Sequence, residues 1–227
     1  MLQAIIFDLD DTLYDEKQFV IGGFDAVSHY VSIKYNVNQD IVHQLLFETL
    51  YEHGRGYTFD IALKKLGIYE KKDIPQLVEI YRNHTPNLKL YPEAITILSH
   101  FKKNDYKLGL ITDGNVEVQK NKVKSLRVED FFDCMVFSNE YGIEKQKPNP
   151  FPYLKVIEKL KVKNTKSVYV GDNPHKDFIT ANKLGLVTIR LLKGNYENIT
   201  LDDEFEAKYQ IKNIIELLDL IPHINKI

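Results

Sequence analysis

The sequence predicts an α/β protein built on a doubly wound parallel sheet. Short apolar runs, several of them rich in β-branched residues, alternate with segments whose apolar residues recur at helical spacing. Uninterrupted apolar runs are typical of strands covered on both faces, and their alternation with helices indicates a parallel sheet. The predicted strands span 2–7, 107–112, 135–137, 167–170 and 187–192.

The composition is that of an ordinary globular protein. Of the 227 residues, 44% are hydrophobic and 27% are charged, which excludes a disordered or fibrous chain. A formal net charge of −2 without a polybasic run argues against nucleic acid or a membrane surface as a partner. No apolar stretch approaches the ~18 residues that span a bilayer. A single cysteine, Cys134, and a start without a basic targeting region predict a cytoplasmic protein.

Helices are also predicted just before the second strand and between the later strands. The segment 92–103 begins with Pro92, which suits a first helical turn. A helix over 177–184 would end at Gly185, because glycine is common just after a helix. A third helix is predicted over 152–160, where apolar residues again recur at helical spacing.

The interval between the first two predicted strands departs from this rhythm. About a hundred residues separate Phe7 from Lys107. A crossover between parallel strands can be made with about a dozen residues, so one crossover helix needs far fewer than this. Most of the interval has helical patterns. We therefore predict a core domain of 1–15 and 87–227 and an inserted helical domain of 16–86. The predicted helices of the insertion span 19–35, 39–52, 59–66 and 74–83.

Carboxylates follow the first predicted strand, in Asp8-Leu9-Asp10-Asp11. In a doubly wound sheet, ligands bind at the carboxyl ends of the strands. Like charges brought together there repel one another, and desolvation adds to the cost. A divalent cation would offset this cost, and hard oxygen ligands favour Mg²⁺. The alternative is a solvated acidic turn that caps a helix.

Two further segments carry groups suited to an anion. Thr112-Asp113-Gly114 offers a hydroxyl and accessible backbone amides before a helix that begins near Val116. Lys147 precedes a proline-rich turn and can point its ammonium at phosphate oxygens. The alternatives are a helix-capping turn for the first segment and a solvated surface lysine for the second.

Gly171-Asp172 ends the fourth predicted strand, and Asp177 follows in the next loop. Gly171 allows close approach of the backbone, and one or both carboxylates could reach a metal ion, whereas the alternative for Asp177 is a helix N-cap. In chain order, the four segments supply a carboxylate pair, a hydroxyl with amides, a cation and a second carboxylate pair. This set suits phosphoryl chemistry, which uses a nucleophile, an acid or base, a metal and charge stabilisation.

The four motifs closely resemble those of the haloacid dehalogenase superfamily, in particular its phosphatase-like members with a helical cap. The resemblance covers essentially the whole chain and implies a Rossmann-like core with 16–86 as the cap. Many members have Gly-x-x-Lys-Pro, whereas here Gly142 is followed first by Lys145 and then by Lys147 and Pro148, so Lys145 is an alternative to Lys147. The matching segments are Asp8-Leu9-Asp10-Asp11-Thr12-Leu13, Thr112-Asp113-Gly114, Lys147-Pro148 and Gly171-Asp172-Asn173 with Asp177.

The resemblance implies a Mg²⁺-dependent phosphatase of a small phosphorylated metabolite, either a sugar phosphate or a nucleoside monophosphate. Asp8 would be the nucleophile that forms an aspartyl-phosphate, and Asp10 would be the general acid and base. Asp10 also separates the phosphatases from the dehalogenase branch, which lacks this second acid. Thr112 and the amides near Asp113 and Gly114 would bind the phosphoryl oxygens.

The resemblance also implies a metal site and a charge-neutralising lysine. Mg²⁺ would be bound by the carboxylates of Asp8 and Asp172 and by the backbone carbonyl of Asp10. Asp177 would orient the shell of the ion. Lys147 would neutralise charge on Asp8 and on the phosphate, which otherwise repel each other.

The activity, the substrate contact and the oligomeric state stay open at this point. A phosphomutase of the same superfamily shares all four motifs, and a phospho-aspartate signalling module also joins an acceptor Asp to a Thr and a Lys. Arg55, which lies between two glycines in the inserted domain, is a candidate substrate contact, with a solvated turn as the alternative. The expected oligomeric state is a monomer or a homodimer.

Overall fold

The computed structural model describes residues 1–226, and its contacts divide the chain into two compact units. One unit consists of Met1–Glu16 and Leu88–Ile227, and the other consists of Lys17–Asn87. The domain boundaries expected from the sequence lie one residue from these. The predicted core domain runs to residue 227, which lies outside the described residues.

The larger unit is built around a six-stranded sheet. Its strands are β1 (Ala4–Phe7), β2 (Lys107–Thr112), β3 (Cys134–Phe137), β4 (Ser167–Gly171), β5 (Val187–Leu191) and β6 (Tyr209–Ile211). Their order is β3-β2-β1-β4-β5-β6, and every neighbouring pair is parallel. All residues of β1 are buried, as the central strand of a sheet covered on both faces should be. The predicted doubly wound parallel sheet is therefore confirmed.

The strand β6 is the one element of the sheet that the sequence prediction lacks. Of its residues, only Ile211 is buried, so no continuous apolar run marks the strand. It lies at the edge of the sheet, where it pairs with β5. A short, half-exposed edge strand carries too little pattern to be recognised in the sequence.

The smaller unit is helical and has its own apolar core, to which Phe24, Val27 and Leu46 belong. Its helices are α1 (Lys17–Tyr35), α2 (Gln39–His53), α3 (Thr58–Lys65) and α4 (Ile74–Asn83). Gly23 of α1 packs so closely against the Tyr81 ring of α4 that a Cβ atom would collide with the ring. The glycine is therefore part of tight helix packing within this unit.

The helices of the larger unit are α5 (Pro92–Lys103), α6 (Val116–Leu126), α7 (Pro150–Leu160), α8 (Ile179–Lys183) and α9 (Leu217–Ile224). Asn115 caps α6, since its side chain accepts a hydrogen bond from the Val118 amide. The helix α8 is shorter than the predicted segment 177–184, because the Asp177 carboxylate accepts from the Asn173 amide and holds the preceding residues in a turn. None of the helices within residues 1–226 is long and apolar enough to cross a membrane.

Candidate active site

Residues singled out in the sequence gather at the carboxyl edge of the sheet in the larger unit. Asp8 follows β1, Thr112 ends β2 and Asp172 follows β4. These three strands are neighbours, with β1 in the middle. The chain runs from β1 through β2 to β3 on one side and then from β4 to β6 on the other. The edge between β1 and β4 is therefore a topological switch point, where doubly wound sheets bind ligands.

The ammonium of Lys147 joins two carboxylates of this edge. Its Nζ atom lies 2.5 Å from Asp8 Oδ1 and 2.8 Å from Asp177 Oδ1. It also donates to the Tyr169 hydroxyl at 2.9 Å, and that hydroxyl donates to Asp177 Oδ1 at 3.0 Å. Because the lysine side chain is fully buried, its charge must be paired and hydrogen-bonded. Its three N–H bonds have three acceptors here.

Asp8, Asp172 and Asp177 form an acidic cluster of the kind that binds a divalent ion. One oxygen of each lies within 4.8 Å of the others, and all three residues are buried. Burial raises the pKa of Asp8 to about 7, because desolvation outweighs the attraction of Lys147. Burial also raises the pKa of Asp172 well above its usual range, and the charges of Asp177 and Asp8 add to the effect. The three carboxylates supply the hard oxygen ligands that Mg²⁺ prefers, so the cluster fits Mg²⁺ in ligand chemistry.

The Asp10 carboxylate is outside this acidic cluster and makes its own contacts. Its Oδ1 atom accepts hydrogen bonds from Lys122 Nζ at 2.7 Å and from the Tyr14 hydroxyl at 2.6 Å. Its Oδ2 atom accepts from Gln119 Nε2 at 2.8 Å. Burial acts to raise the pKa of Asp10, but the Lys122 ammonium and the hydrogen bonds outweigh it and hold the pKa below its usual range. The carboxylate is therefore oriented by three donors.

Asp11 turns the chain just beyond Asp10. Its φ of 53° lies in the left-handed region, which aspartate tolerates better than most residues. Its buried carboxylate accepts from the Glu16 amide at 2.9 Å and from Asn195 Nδ2 at 3.0 Å. The strand β1 ends at Phe7 and the left-handed turn falls at Asp11, so Asp8 and Asp10 lie in the short segment between the strand and the turn.

The end of β2 carries the hydroxyl and the carboxylate of the predicted anion-binding segment. Thr112 is buried, and its hydroxyl accepts a hydrogen bond from Gln119 Nε2. The Asp113 carboxylate accepts from the Ser138 hydroxyl at 2.6 Å and from the backbone amide of Lys147 at 3.2 Å. These contacts tie the loop after β3 to the end of β2 and so hold Lys147 at the site.

Gly114 has a φ of 118°, which suits glycine. Its amide donates to Asn139 Oδ1 at 3.2 Å, and the same oxygen accepts from Gln146 Nε2 at 2.7 Å. A phosphoryl oxygen would have to displace Asn139 before it could accept from this amide. The predicted contribution of Gly114 to anion binding therefore requires an exchange of partners.

Gly171 is required where β4 meets the acidic cluster. A Cβ atom at this position would lie 2.5 Å from Asp177 Oδ2. That oxygen also accepts from the Asn173 amide at 3.0 Å, which fixes its place. The lack of a side chain at Gly171 is thus what allows the Asp177 carboxylate to lie against the end of the strand.

Two other basic candidates occupy more exposed positions. Lys145 is only partly buried, and its ammonium lies over the Phe151 ring, 5.8 Å from the ring centre. The geometry therefore favours Lys147 over Lys145 as the lysine that acts at Asp8. Arg55 belongs to the smaller unit and lies in the exposed turn between α2 and α3. Its role as a substrate contact stays a prediction.

Sequence reasoning missed several buried polar residues that contact the candidate site, among them Tyr14, Gln119, Lys122 and Tyr169. A signal for two of them existed, because Gln119 and Lys122 share the buried face of α6 with apolar residues such as Val118. Tyr169 lies inside an apolar strand, and a buried tyrosine hydroxyl usually has a partner. The sequence does not say which partners these are.

Comparison with known proteins identifies the family of this doubly wound α/β fold. The family model for haloacid dehalogenase-like hydrolases matches residues 5–191, and the chain belongs to this family. The glyceraldehyde 3-phosphate phosphatase of Methanocaldococcus jannaschii is 35% identical over 100% of both chains. The protein of the same name from Methanopyrus kandleri is 31% identical, also over 100% of both chains.

A solved structure supports the same assignment at the level of the fold. The crystal structure of 2-haloacid dehalogenase from Pseudomonas syringae pv. Tomato DC3000 superposes with a TM-score of 0.68. It is 24% identical and covers 99% of this chain and 100% of that chain. A named dehalogenase thus shares the fold, so the reaction has to be argued from the site.

Proposed function

We propose that the protein is a Mg²⁺-dependent phosphatase of a small phosphorylated metabolite and that it works through an aspartyl-phosphate on Asp8. The observation that carries this proposal is the position of Asp8, which belongs to an acidic cluster suited to a divalent ion and also contacts the buried ammonium of Lys147. A carboxylate and a phosphate repel each other in water. A divalent ion in the cluster and the ammonium of Lys147 would offset this repulsion and allow the two anions to approach.

The reaction would have two halves, and Asp8 and Asp10 of the first motif would take part in both. In the first half, an oxygen of Asp8 bonds to phosphorus while the ester bond breaks, and Asp10 gives a proton to the leaving oxygen. In the second half, Asp10 takes a proton from the water that hydrolyses the aspartyl-phosphate. Lys147 neutralises charge on Asp8 and on the phosphoryl group throughout. A divalent ion in the acidic cluster would withdraw charge from the phosphoryl oxygens and so ease both displacements.

The names of the relatives support the choice of substrate class. Two relatives that match over their whole length are glyceraldehyde 3-phosphate phosphatases. We therefore favour a sugar phosphate over a nucleoside monophosphate, with glyceraldehyde 3-phosphate as the first compound to test. Arg55 remains our proposed substrate contact in the smaller unit. The cytoplasmic location and the monomeric or homodimeric state stay predictions.

The test is release of inorganic phosphate by the purified protein, with Mg²⁺ and with EDTA. The panel contains glyceraldehyde 3-phosphate, other sugar phosphates and nucleoside monophosphates. We expect Mg²⁺-dependent release that is strongest from the sugar phosphates. Asp8→Asn should lower kcat at least ~10³-fold, as expected for removal of a nucleophile. Asp203→Asn, which changes an exposed carboxylate, is the matched control and should keep full activity.

Other outcomes would point to the other readings of the site. Substantial turnover by Asp8→Asn would contradict the nucleophile assignment. Conversion of one sugar phosphate into another would support a phosphomutase. A long-lived phosphate on Asp8 without turnover would support a signalling module. Release that is unaffected by EDTA would contradict the metal requirement.

A further inference from the structure

The helix α6 carries two polar side chains in positions that amphipathic helices normally give to apolar residues. Gln119 and Lys122 are 2% and 3% exposed, and they share the buried face of the helix with Val118, Val123 and Leu126. A lysine is almost never fully buried unless it is paired. Their burial therefore indicates that each side chain has a specific partner in the interior.

Both side chains reach the Asp10 carboxylate. Lys122 Nζ donates to Asp10 Oδ1 at 2.7 Å and also lies 3.4 Å from Glu16 Oε1. Gln119 Nε2 donates to Asp10 Oδ2 at 2.8 Å. The Tyr14 hydroxyl adds a second donor to Oδ1, at 2.6 Å. One face of α6 thus determines how the carboxylate of Asp10 is turned.

The two oxygens of Asp10 have different surroundings. Oδ1 lies between an ammonium and a phenol, so it is anchored and faces a positive charge. Oδ2 faces the amide of Gln119, and the same Nε2 atom also donates to the Thr112 hydroxyl. Oδ2 is therefore on the side of Thr112, one of the groups expected to bind the phosphoryl oxygens.

We propose that Lys122 and Gln119 are positioning residues that turn Oδ2 of Asp10 toward the phosphoryl group, so that Oδ2 is the oxygen that transfers protons. The proposal rests on the phosphatase function proposed above. Lys122, together with Tyr14, holds Oδ1 away from the reaction. Gln119 sets the distance between Oδ2 and the hydroxyl of Thr112.

The proton and electron balance follows from this assignment. As an oxygen of Asp8 bonds to phosphorus, the bond from phosphorus to the leaving oxygen breaks, and its electron pair stays on that oxygen. The proton on Asp10 Oδ2, which the attacking water supplied in the preceding turnover, moves to the leaving oxygen, so the product is a neutral alcohol. In the second half, the attacking water returns a proton to Oδ2 while its oxygen bonds to phosphorus and the bond to Asp8 breaks.

The experiment compares esters whose leaving groups differ in their need for a proton. An alkyl phosphate such as glyceraldehyde 3-phosphate leaves as an alcohol and needs the proton, whereas p-nitrophenyl phosphate leaves as a stable phenolate and does not. The value of kcat/KM reports the steps up to phosphoryl transfer to Asp8 and excludes hydrolysis of the intermediate. A positioning role for proton transfer should therefore show as a difference between the two esters in kcat/KM.

We expect Lys122→Met to lower kcat/KM for the alkyl ester by about 100-fold, the scale of general acid catalysis, but by less than about fivefold for the aryl ester. Gln119→Met should lower kcat/KM for the alkyl ester by about tenfold relative to kcat/KM for the aryl ester. This second variant keeps every charge in place, so it carries the test if Lys122→Met does not fold. The control is Lys124→Met, an exposed lysine of the same helix, which should behave as wild type with both esters.

Two results would overturn the proposal. Equal losses with both esters would show that the residues act on folding or on phosphate binding in general, and unchanged kinetics would show that they do not position Asp10. Failure of the wild-type protein to hydrolyse either ester would instead contradict the phosphatase function on which the proposal rests. Thermal unfolding of each variant separates lost structure from lost positioning.

Discussion

Lys147 and the carboxylates of Asp8 and Asp177 depend on one another within the protein interior. The ammonium lies 2.5 Å from Asp8 Oδ1 and 2.8 Å from Asp177 Oδ1. Burial acts to lower the pKa of Lys147, but Asp177 and Asp8 outweigh it and raise the pKa well above its usual value. The side chain therefore stays charged at neutral pH, and its removal would leave buried carboxylates without compensation.

Lys147→Ala should accordingly lower both activity and stability. We expect kcat to fall at least ~10²-fold, as for the loss of one stabilising donor from a transition state. The free energy of unfolding of the metal-free protein should fall by about 3–5 kcal/mol, the cost of breaking a buried ion pair. Steady-state kinetics and urea unfolding measure the two effects.

Lys145→Ala is the matched control, because Lys145 belongs to the same segment and is only partly buried. It should change the free energy of unfolding by less than about 0.5 kcal/mol, as surface substitutions usually do. A larger loss of kcat in Lys145→Ala than in Lys147→Ala would show that Lys145, and not Lys147, is the functional lysine.

At the scale of elements, α6 and α7 end in the same way. The residue after each helix is not a glycine, yet it adopts the left-handed conformation: Arg127 has φ 54° and ψ 44°, and Lys161 has φ 56° and ψ 44°. This conformation costs a non-glycine residue about 1–2 kcal/mol, and helices more often place glycine there. Both helix ends therefore carry strain that a single substitution can release.

Lys161→Gly should stabilise the protein by about 1 kcal/mol, because glycine adopts the left-handed conformation without the steric cost. Lys163→Gly is the matched control. Lys163 is also exposed, but its φ of −89° and ψ of 145° are ordinary extended values. There the added freedom of glycine should destabilise the protein by about 0.5 kcal/mol. Urea unfolding measures both changes, and equal effects of the two variants would refute the strain argument.

At the scale of the whole molecule, the acidic cluster couples stability to pH. In the folded protein the pKa of Asp8 is about 7, whereas its ordinary value is 3.8. The folded state therefore holds a proton that the unfolded state releases. The contribution of Asp8 to the stability of the metal-free protein is present below the lower value and is lost as the pH rises toward the higher one.

Protons and Mg²⁺ should compete for the same oxygens, because a carboxylate must lose its proton to become a ligand. Since burial raises the pKa of Asp8 to about 7, apparent Mg²⁺ affinity should rise with pH and weaken below about pH 7. We expect binding about tenfold weaker near pH 6 than near pH 8, with proton release on binding. Isothermal titration calorimetry in buffers of different ionisation enthalpy measures both quantities.

Variants of the cluster test the same prediction. Asp172→Asn removes one carboxylate of the acidic cluster and should weaken Mg²⁺ binding and reduce the number of protons released. Asp203→Asn, at an exposed position, should leave both unchanged. Affinity that does not vary with pH would show that the ion binds elsewhere.

Most elements of the fold could be predicted because their signals are local. The strand over 107–112 and the helix over 74–83 have the predicted bounds, since each is marked by its own apolar pattern and flanking residues. The short edge strand β6 has no such pattern, and the start of α8 depends on the contact of Asp177 with Asn173. These two misses share a cause, which is that neighbouring parts of the fold define the element.

The candidate site likewise has features that local sequence predicts and features that depend on the folded structure. The residues alone point to the α/β class, to the four candidate segments and to phosphoryl chemistry, because strand ends of a parallel sheet meet at one edge whatever the details of packing. The separate roles of Asp8, Asp10 and Asp172 are implied by the family resemblance. Partners far apart in the chain follow from the folded arrangement. The contact of Asp10 with Gln119 spans 109 positions, and that of Asp8 with Lys147 spans 139. Only packing brings such side chains within reach of each other, so it is the tertiary structure that places the ammonium of Lys147 against Asp8 and surrounds Asp10 with its donors.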